Sequence, residues 1–148
     1  MHHGQIKTLR GIVEEYGVPK ASIVEETTSM RPDDRTRPGD LVVLDFAEGG
    51  RHLIIDGMVT TVCRNSILPK VVAIPGFAAK QVEDMKFKTD KDSPNPASTT
   101  HGGRHMLIPF AMEDGGRIGA HGQSALRMLA TYHIGRLLDR VLTFGQLW

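Results

Sequence analysis

The sequence has little of several features that would assign it to a class at once. It contains one cysteine, Cys63, so it cannot form an internal disulfide. Aromatic residues make up only 5% of it, and its apolar runs fall short of the roughly 18 residues that a membrane span requires. Its first residues lack the apolar segment of a signal peptide. We therefore expect an intracellular protein that does not enter a membrane.

The sequence also lacks an excess of charge of either sign. Lysine and arginine number 18 against 17 acidic residues, and the resulting net charge of +1 gives no global attraction to nucleic acids. The hydrophobic fraction of 40%, together with 16 glycines, is typical of an ordinary globular protein. A chain of 148 residues is about the size of one domain. We predict a single domain over residues 1–148, with a flexible loop at about 90–105.

Hydrophobic spacing predicts three helical regions. Apolar residues recur at three- and four-residue steps over about 5–16, over 77–88, and from 118 to the C-terminal region. The last region forms either one long helix or two helices separated near Gly135. Since each region has one apolar face, each is expected to pack against a sheet.

Short apolar runs predict the strands of that sheet. One lies at about 21–25, a hairpin covers 40–59 across a turn at 48–50, and a further strand covers 105–113, where Pro109 indicates an edge or a bulge. A loop is expected at 27–39. The alternation of helices and strands predicts a three-layer α/β/α fold around a central mixed sheet.

Two aspartates lie where the strands of the predicted hairpin begin and end. Asp40 opens the first strand, and Asp56 follows the apolar run 53–55 of the second. Because antiparallel pairing places the start of one strand beside the end of the other, we expect the two carboxylates to lie side by side. Mg²⁺ prefers hard oxygen ligands and commonly takes one or two carboxylates. The alternative is that Asp40 is a turn residue and Asp56 a strand-end residue, without a metal.

Four segments also carry motifs that occur together in a known family. They are RPGDLVV at 37–43, LIIDGMVT at 53–60, PGFAAKQVEDMK at 75–86 and IPFAMEDGGRIG at 108–119. In this order they resemble the restriction-endonuclease-like domain of site-specific non-LTR retrotransposons, which belongs to the wider PD-(D/E)xK nuclease fold. The resemblance covers most of the chain, from about 31 to about 130.

The resemblance implies a metal-dependent DNA endonuclease, with DNA as partner and the nucleus as location. By position, Asp40 and Asp56 would hold Mg²⁺ or Mn²⁺, and Lys86 would orient the attacking water or stabilise charge on the phosphate. Lys80, nearly two turns earlier on the same predicted helix, is the alternative lysine. The third acidic ligand stays open among Glu14, Glu15 and Glu25.

The sequence departs from the family pattern at three positions. Gly39 is inserted between the proline and the aspartate, Gly57 weakens the second strand, and Met58 stands where most nucleases of the wider fold have lysine. The reverse transcriptase and the zinc knuckle of the family are not among these residues, so we expect a detached or decayed copy. Two functions therefore stay open: a Mg²⁺-dependent endonuclease, and a catalytically silent nucleic-acid-binding or interaction domain that keeps the fold.

Overall fold

The structure is a computed structural model that describes residues 2–25, 39–47, 50–91 and 105–145. Its helices are α1 (His2–Glu15), α2 (Leu68–Ala73), α3 (Phe77–Lys91) and α4 (Ala120–Gly145), with a 3-10 turn at Lys20–Ser22. Its strands are β1 (Ile23–Glu25), β2 (Leu41–Ala47), β3 (Arg51–Thr60) and β4 (His105–Glu113).

The four strands form one mixed sheet in the order β1-β2-β3-β4. β1, β2 and β3 pair antiparallel, and β4 pairs parallel with β3 after a connection that includes α2 and α3. The prediction of an α/β fold with a central mixed sheet is therefore confirmed. β4 lies at an edge of this sheet, where Pro109 can be accommodated because it has no backbone N–H to donate to a second neighbour.

The helices lie on both faces of the sheet. On one face, α1 and α4 bury apolar side chains such as Val13 and Leu129 against strand residues such as Leu53. Strand residues alternate between faces, so Val42 and Ile54 belong to a second apolar cluster on the other side. α3 packs on that second side, against β3 and β4. This arrangement fixes which side chains of β3 face α3.

Several elements differ from the sequence-based expectations. α2 was not predicted, because a helix of six residues is too short for hydrophobic spacing to identify it. α4 is one helix that continues through Gly135. α3 extends to Lys91, so residues 90 and 91, which were expected in a loop, are helical. β1 begins only at Ile23, after the 3-10 turn.

Two of the predicted loops lie largely beyond the described residues. These are the segment at 27–39, of which only Gly39 is described, and the part of the 90–105 segment between 92 and 104. Among the described residues, none of the helices has the length and apolar character needed to cross a membrane.

Candidate active site

The start of β2 brings Asp40 close to Asp56. Leu41, the first residue of β2, pairs with Ile55, so Asp40 lies beside the part of β3 that contains Asp56. The backbone N–H of Asp40 donates a hydrogen bond to the carbonyl oxygen of Ile55 at 3.0 Å. The carboxyl groups of Asp40 and Asp56 lie within hydrogen-bonding distance of each other. Because Asp56 also contacts α3, the pair lies on the side of the sheet that α3 covers.

Two glycines hold Asp40 in this position. The Asp40 side chain accepts a hydrogen bond through Oδ2 from the backbone N–H of Gly57 at 2.8 Å, and Asp40 is only 8% exposed. A Cβ atom on Gly39 would lie 2.5 Å from Cγ2 of Ile54, so the chain enters β2 too close to β3 for any side chain there. The glycine at position 39 therefore has a local structural reason, whereas the bond from Gly57 is a backbone bond that does not require glycine.

The lysine of the site comes from α3. Lys86 places Nζ 2.8 Å from Oδ2 of Asp56, and the two side chains are 35% and 17% exposed. Lys80, the alternative considered from the sequence, forms an exposed ion pair with Asp84 on the same helix. The structure thus brings Lys86, and not Lys80, to the carboxylate pair.

The electrostatics of the pair favour a cation. Burial raises the pKa of Asp56 above its usual value, and the charge and hydrogen bond of Asp40 raise it further, whereas Lys86 acts in the opposite direction. A positive charge beside Asp56, such as that of Lys86, favours its ionised form.

The residues present fit Mg²⁺ or Mn²⁺. Carboxylate oxygens are the ligands that these ions prefer in proteins, and Mg²⁺ usually takes one or two carboxylates and completes its shell with water and phosphate oxygens. Asp40 and Asp56 supply such a pair in a partly buried position. A divalent ion would offset the burial of the Asp56 carboxylate, which is the main cause of its raised pKa, and also its repulsion by Asp40.

The three candidates for a third acidic ligand do not join this pair. Glu14 and Glu25 both bind Arg10, at 2.9 and 2.7 Å respectively, and Glu15 is exposed on α1. Among the residues that the structure describes, His, Cys, Asp and Glu side chains do not form groups of three that could hold a metal ion. The described site therefore consists of two carboxylates and one ammonium group.

Sequence reasoning assigned no role to two buried carboxylates near this site. Glu113 accepts a hydrogen bond from the backbone N–H of Ala79, in the first turn of α3, at 3.4 Å. Glu83 accepts backbone hydrogen bonds from His121 and Gly122 in the first turn of α4. Both carboxylates cap helices that lie far away in sequence, which local spacing cannot reveal.

A cavity of about 410 Å³ lies apart from the carboxylate pair. It is lined mainly by apolar side chains of α1, β3 and β4, including Leu9, Val59 and Phe110, and it does not include Asp40, Asp56 or Lys86. Leu9 and Phe110 belong to the core between α1 and the sheet, so the cavity is on the face opposite to α3. It does not contribute to the candidate site.

The raised pKa of Asp56 predicts a specific pH dependence of stability. Because folding raises this pKa above 3.8, the folded chain binds the proton more tightly than the unfolded chain. Proton binding by Asp56 therefore stabilises the fold fully at pH values below the pKa of Asp56 in the unfolded chain. This stabilisation is lost as the pH rises through the pKa of Asp56 in the folded chain. Asp56→Asn removes this titration, so it should gain stability relative to wild type as pH rises from about 3 to about 7.

Urea unfolding at a series of pH values measures this difference. Asp84→Asn is the control, because Asp84 is an exposed aspartate on α3 and should show no such relative gain. A relative loss for Asp56→Asn as pH rises would mean that the ion pair with Lys86 outweighs burial.

Comparison with known proteins yields no relative: no family model, no curated protein and no solved structure matches the chain. The geometry of the site and the motif resemblance therefore remain the indications of function.

Proposed function

We propose that the chain is a restriction-endonuclease-like domain, derived from a retroelement, that hydrolyses DNA phosphodiester bonds with Mg²⁺ or Mn²⁺. One observation carries the proposal: the carboxyl groups of Asp40 and Asp56 are neighbours, and Nζ of Lys86 in α3 lies 2.8 Å from Oδ2 of Asp56. A mixed sheet with helices on both faces is consistent with the nuclease fold that the motifs imply. A nuclear location belongs to the same proposal.

Each residue of the site would have a different role in the reaction. Asp40 and Asp56 would hold the divalent ion, with Asp40 oriented by the backbone N–H of Gly57. The bound ion would polarise the phosphate and lower the pKa of a water molecule. Lys86 would place its ammonium group beside the phosphate, where it stabilises the negative charge that develops during attack. Its pairing with Asp56 keeps this group in place before substrate binds.

Nicking of supercoiled plasmid tests the proposal. Purified protein with Mg²⁺ or Mn²⁺ should convert supercoiled DNA to the open-circular form, and EDTA should stop the conversion. Asp56→Ala, purified in the same way, should not nick, because one carboxylate cannot replace the pair. Equal nicking by the variant would show a contaminating nuclease, and no nicking by wild type with either ion would contradict the proposal.

A second candidate function is a silent nucleic-acid-binding domain. The observation that favours it is the Asp56–Lys86 pair itself, in which an ammonium group already neutralises the carboxylate without a metal ion. This alternative predicts DNA binding that neither Mg²⁺ nor Asp56→Ala changes. Fluorescence anisotropy with a labelled duplex, with and without Mg²⁺, separates it from the nuclease.

A further inference from the structure

Glu83 is a buried acid to which the proposed chemistry gives no role. Its exposure is 0%, although an isolated buried carboxylate is strongly disfavoured. Its oxygens accept hydrogen bonds from the backbone N–H groups of His121 and Gly122, at 3.2 and 3.1 Å. These N–H groups belong to the first turn of α4, where unpaired donors and the helix dipole favour a negative charge. The backbone N–H groups of α4 therefore stabilise the buried carboxyl group of Glu83.

The contact connects α3 to the strands that carry the site. Gly119, just before α4, donates its N–H to the carbonyl oxygen of Ala111 in β4 at 2.9 Å. β4 is paired in turn with β3, in a register that sets Asp56 beside Pro109. The first turn of α4 is thus fixed to the sheet, and Glu83 attaches α3 to that fixed point.

Glu83 and Lys86 lie on the same side of α3. They are three residues apart, which on a helix makes them neighbours on one face. From that face Glu83 reaches α4 and Lys86 reaches Asp56. A rotation or shift of α3 that released Glu83 would therefore also move Lys86 away from Asp56.

We propose that Glu83 is a positioning residue, which sets the Lys86 ammonium group at Asp56 by anchoring α3 to the first turn of α4. Its effect on cleavage rests on the proposed nuclease function, whereas its effect on the Asp56–Lys86 pair does not. Glu113 provides the comparison, because it also joins α3 to the rest of the fold, but through Ala79, seven positions before Lys86.

The experiment compares Glu83→Gln with Glu113→Gln. Glutamine retains the size of the side chain but loses the charge and turns an amide NH₂ group towards one of the backbone donors. Two quantities are measured: the ¹H–¹⁵N ammonium resonance of Lys86, which is protected from exchange only while the group is ion-paired, and the rate of plasmid nicking. Glu83→Gln should lose the Lys86 resonance and nick at about one-tenth of the wild-type rate or below. Glu113→Gln should retain the resonance and the wild-type rate.

The outcomes separate this inference from the proposed function. If wild type does not nick but Glu83→Gln alone loses the Lys86 resonance, the positioning role stands and the nuclease function fails. A resonance that persists in Glu83→Gln, is absent from wild type, or is lost equally in Glu113→Gln overturns the positioning role. Should Glu83→Gln not fold, Glu83→Asp takes its place, because it keeps the charge but withdraws the carboxylate by one methylene, and the same criteria apply.

Discussion

Replacing Lys86 with methionine is expected to slow plasmid nicking by about a hundredfold or more, the usual cost of removing one group that stabilises transition-state charge. The same replacement at Lys80 should leave the rate within about twofold, since loss of an exposed ion pair changes little. The two lysines lie on the same helix, and only Lys86 contacts the carboxylate pair, whereas Lys80 contacts Asp84.

The matched pair of variants separates catalysis from non-specific effects of charge. Each removes one positive charge from α3, so a general weakening of DNA binding would affect both alike. Initial nicking rates at saturating Mg²⁺ are the measurement, and circular dichroism verifies that both variants fold. Full activity in Lys86→Met would show that Lys86 is only an ion-pair partner of Asp56, and equal losses would show that neither lysine acts in the chemistry.

The main strands could be predicted because their signal is local. The apolar runs on either side of the turn predicted at 48–50 indicate the hairpin of β2 and β3. Antiparallel pairing of such a hairpin predicts that Asp40 and Asp56 are neighbours, as they are. β4 was predicted with its observed bounds, since a single apolar segment between polar segments defines it. Period-2 and period-3.6 patterns carry this information within a few residues.

The supporting contacts could not be predicted, because they join residues far apart in sequence. Which lysine reaches Asp56 depends on how α3 is rotated on the sheet, and helix periodicity does not determine that rotation. The bonds from His121 and Gly122 to Glu83 span 38 and 39 positions. In the sequence Gly39 is only a departure from a motif, and its structural reason is the tight approach to Ile54.

These contacts have a common physical basis. Asp40 is held by a backbone N–H of β3, Glu113 caps α3, and Glu83 caps α4. Each is a buried carboxylate whose burial would be costly without donors, so each fixes the element that supplies those donors. The carboxylate pair and Lys86 are thereby supported by backbone groups, which move only when a whole helix or strand moves.

Gly119→Ala is expected to have the largest effect on stability. A Cβ atom at this position would lie 2.5 Å from the carboxyl carbon of Glu83 and 2.7 Å from its Oε2, closer than atoms can pack. The carboxylate is fully buried and cannot withdraw without losing its bonds to the first turn of α4. Overpacking together with the loss of a charged hydrogen bond should lower the free energy of unfolding by about 2–4 kcal/mol.

Gly11→Ala is the matched control for this substitution. Gly11 lies within α1 with nothing close to its added methyl group, so alanine should raise the free energy of unfolding by about 0.5–1 kcal/mol through helix propensity. Urea unfolding compares the two glycine variants, and adding Glu83→Ala alone and Glu83→Ala combined with Gly119→Ala completes a double-mutant cycle. Because removing the Glu83 carboxylate also removes the clash, Gly119→Ala should cost much less in that background. An equal cost in both backgrounds would mean that the glycine is required for the path of its own backbone and not for the contact with Glu83.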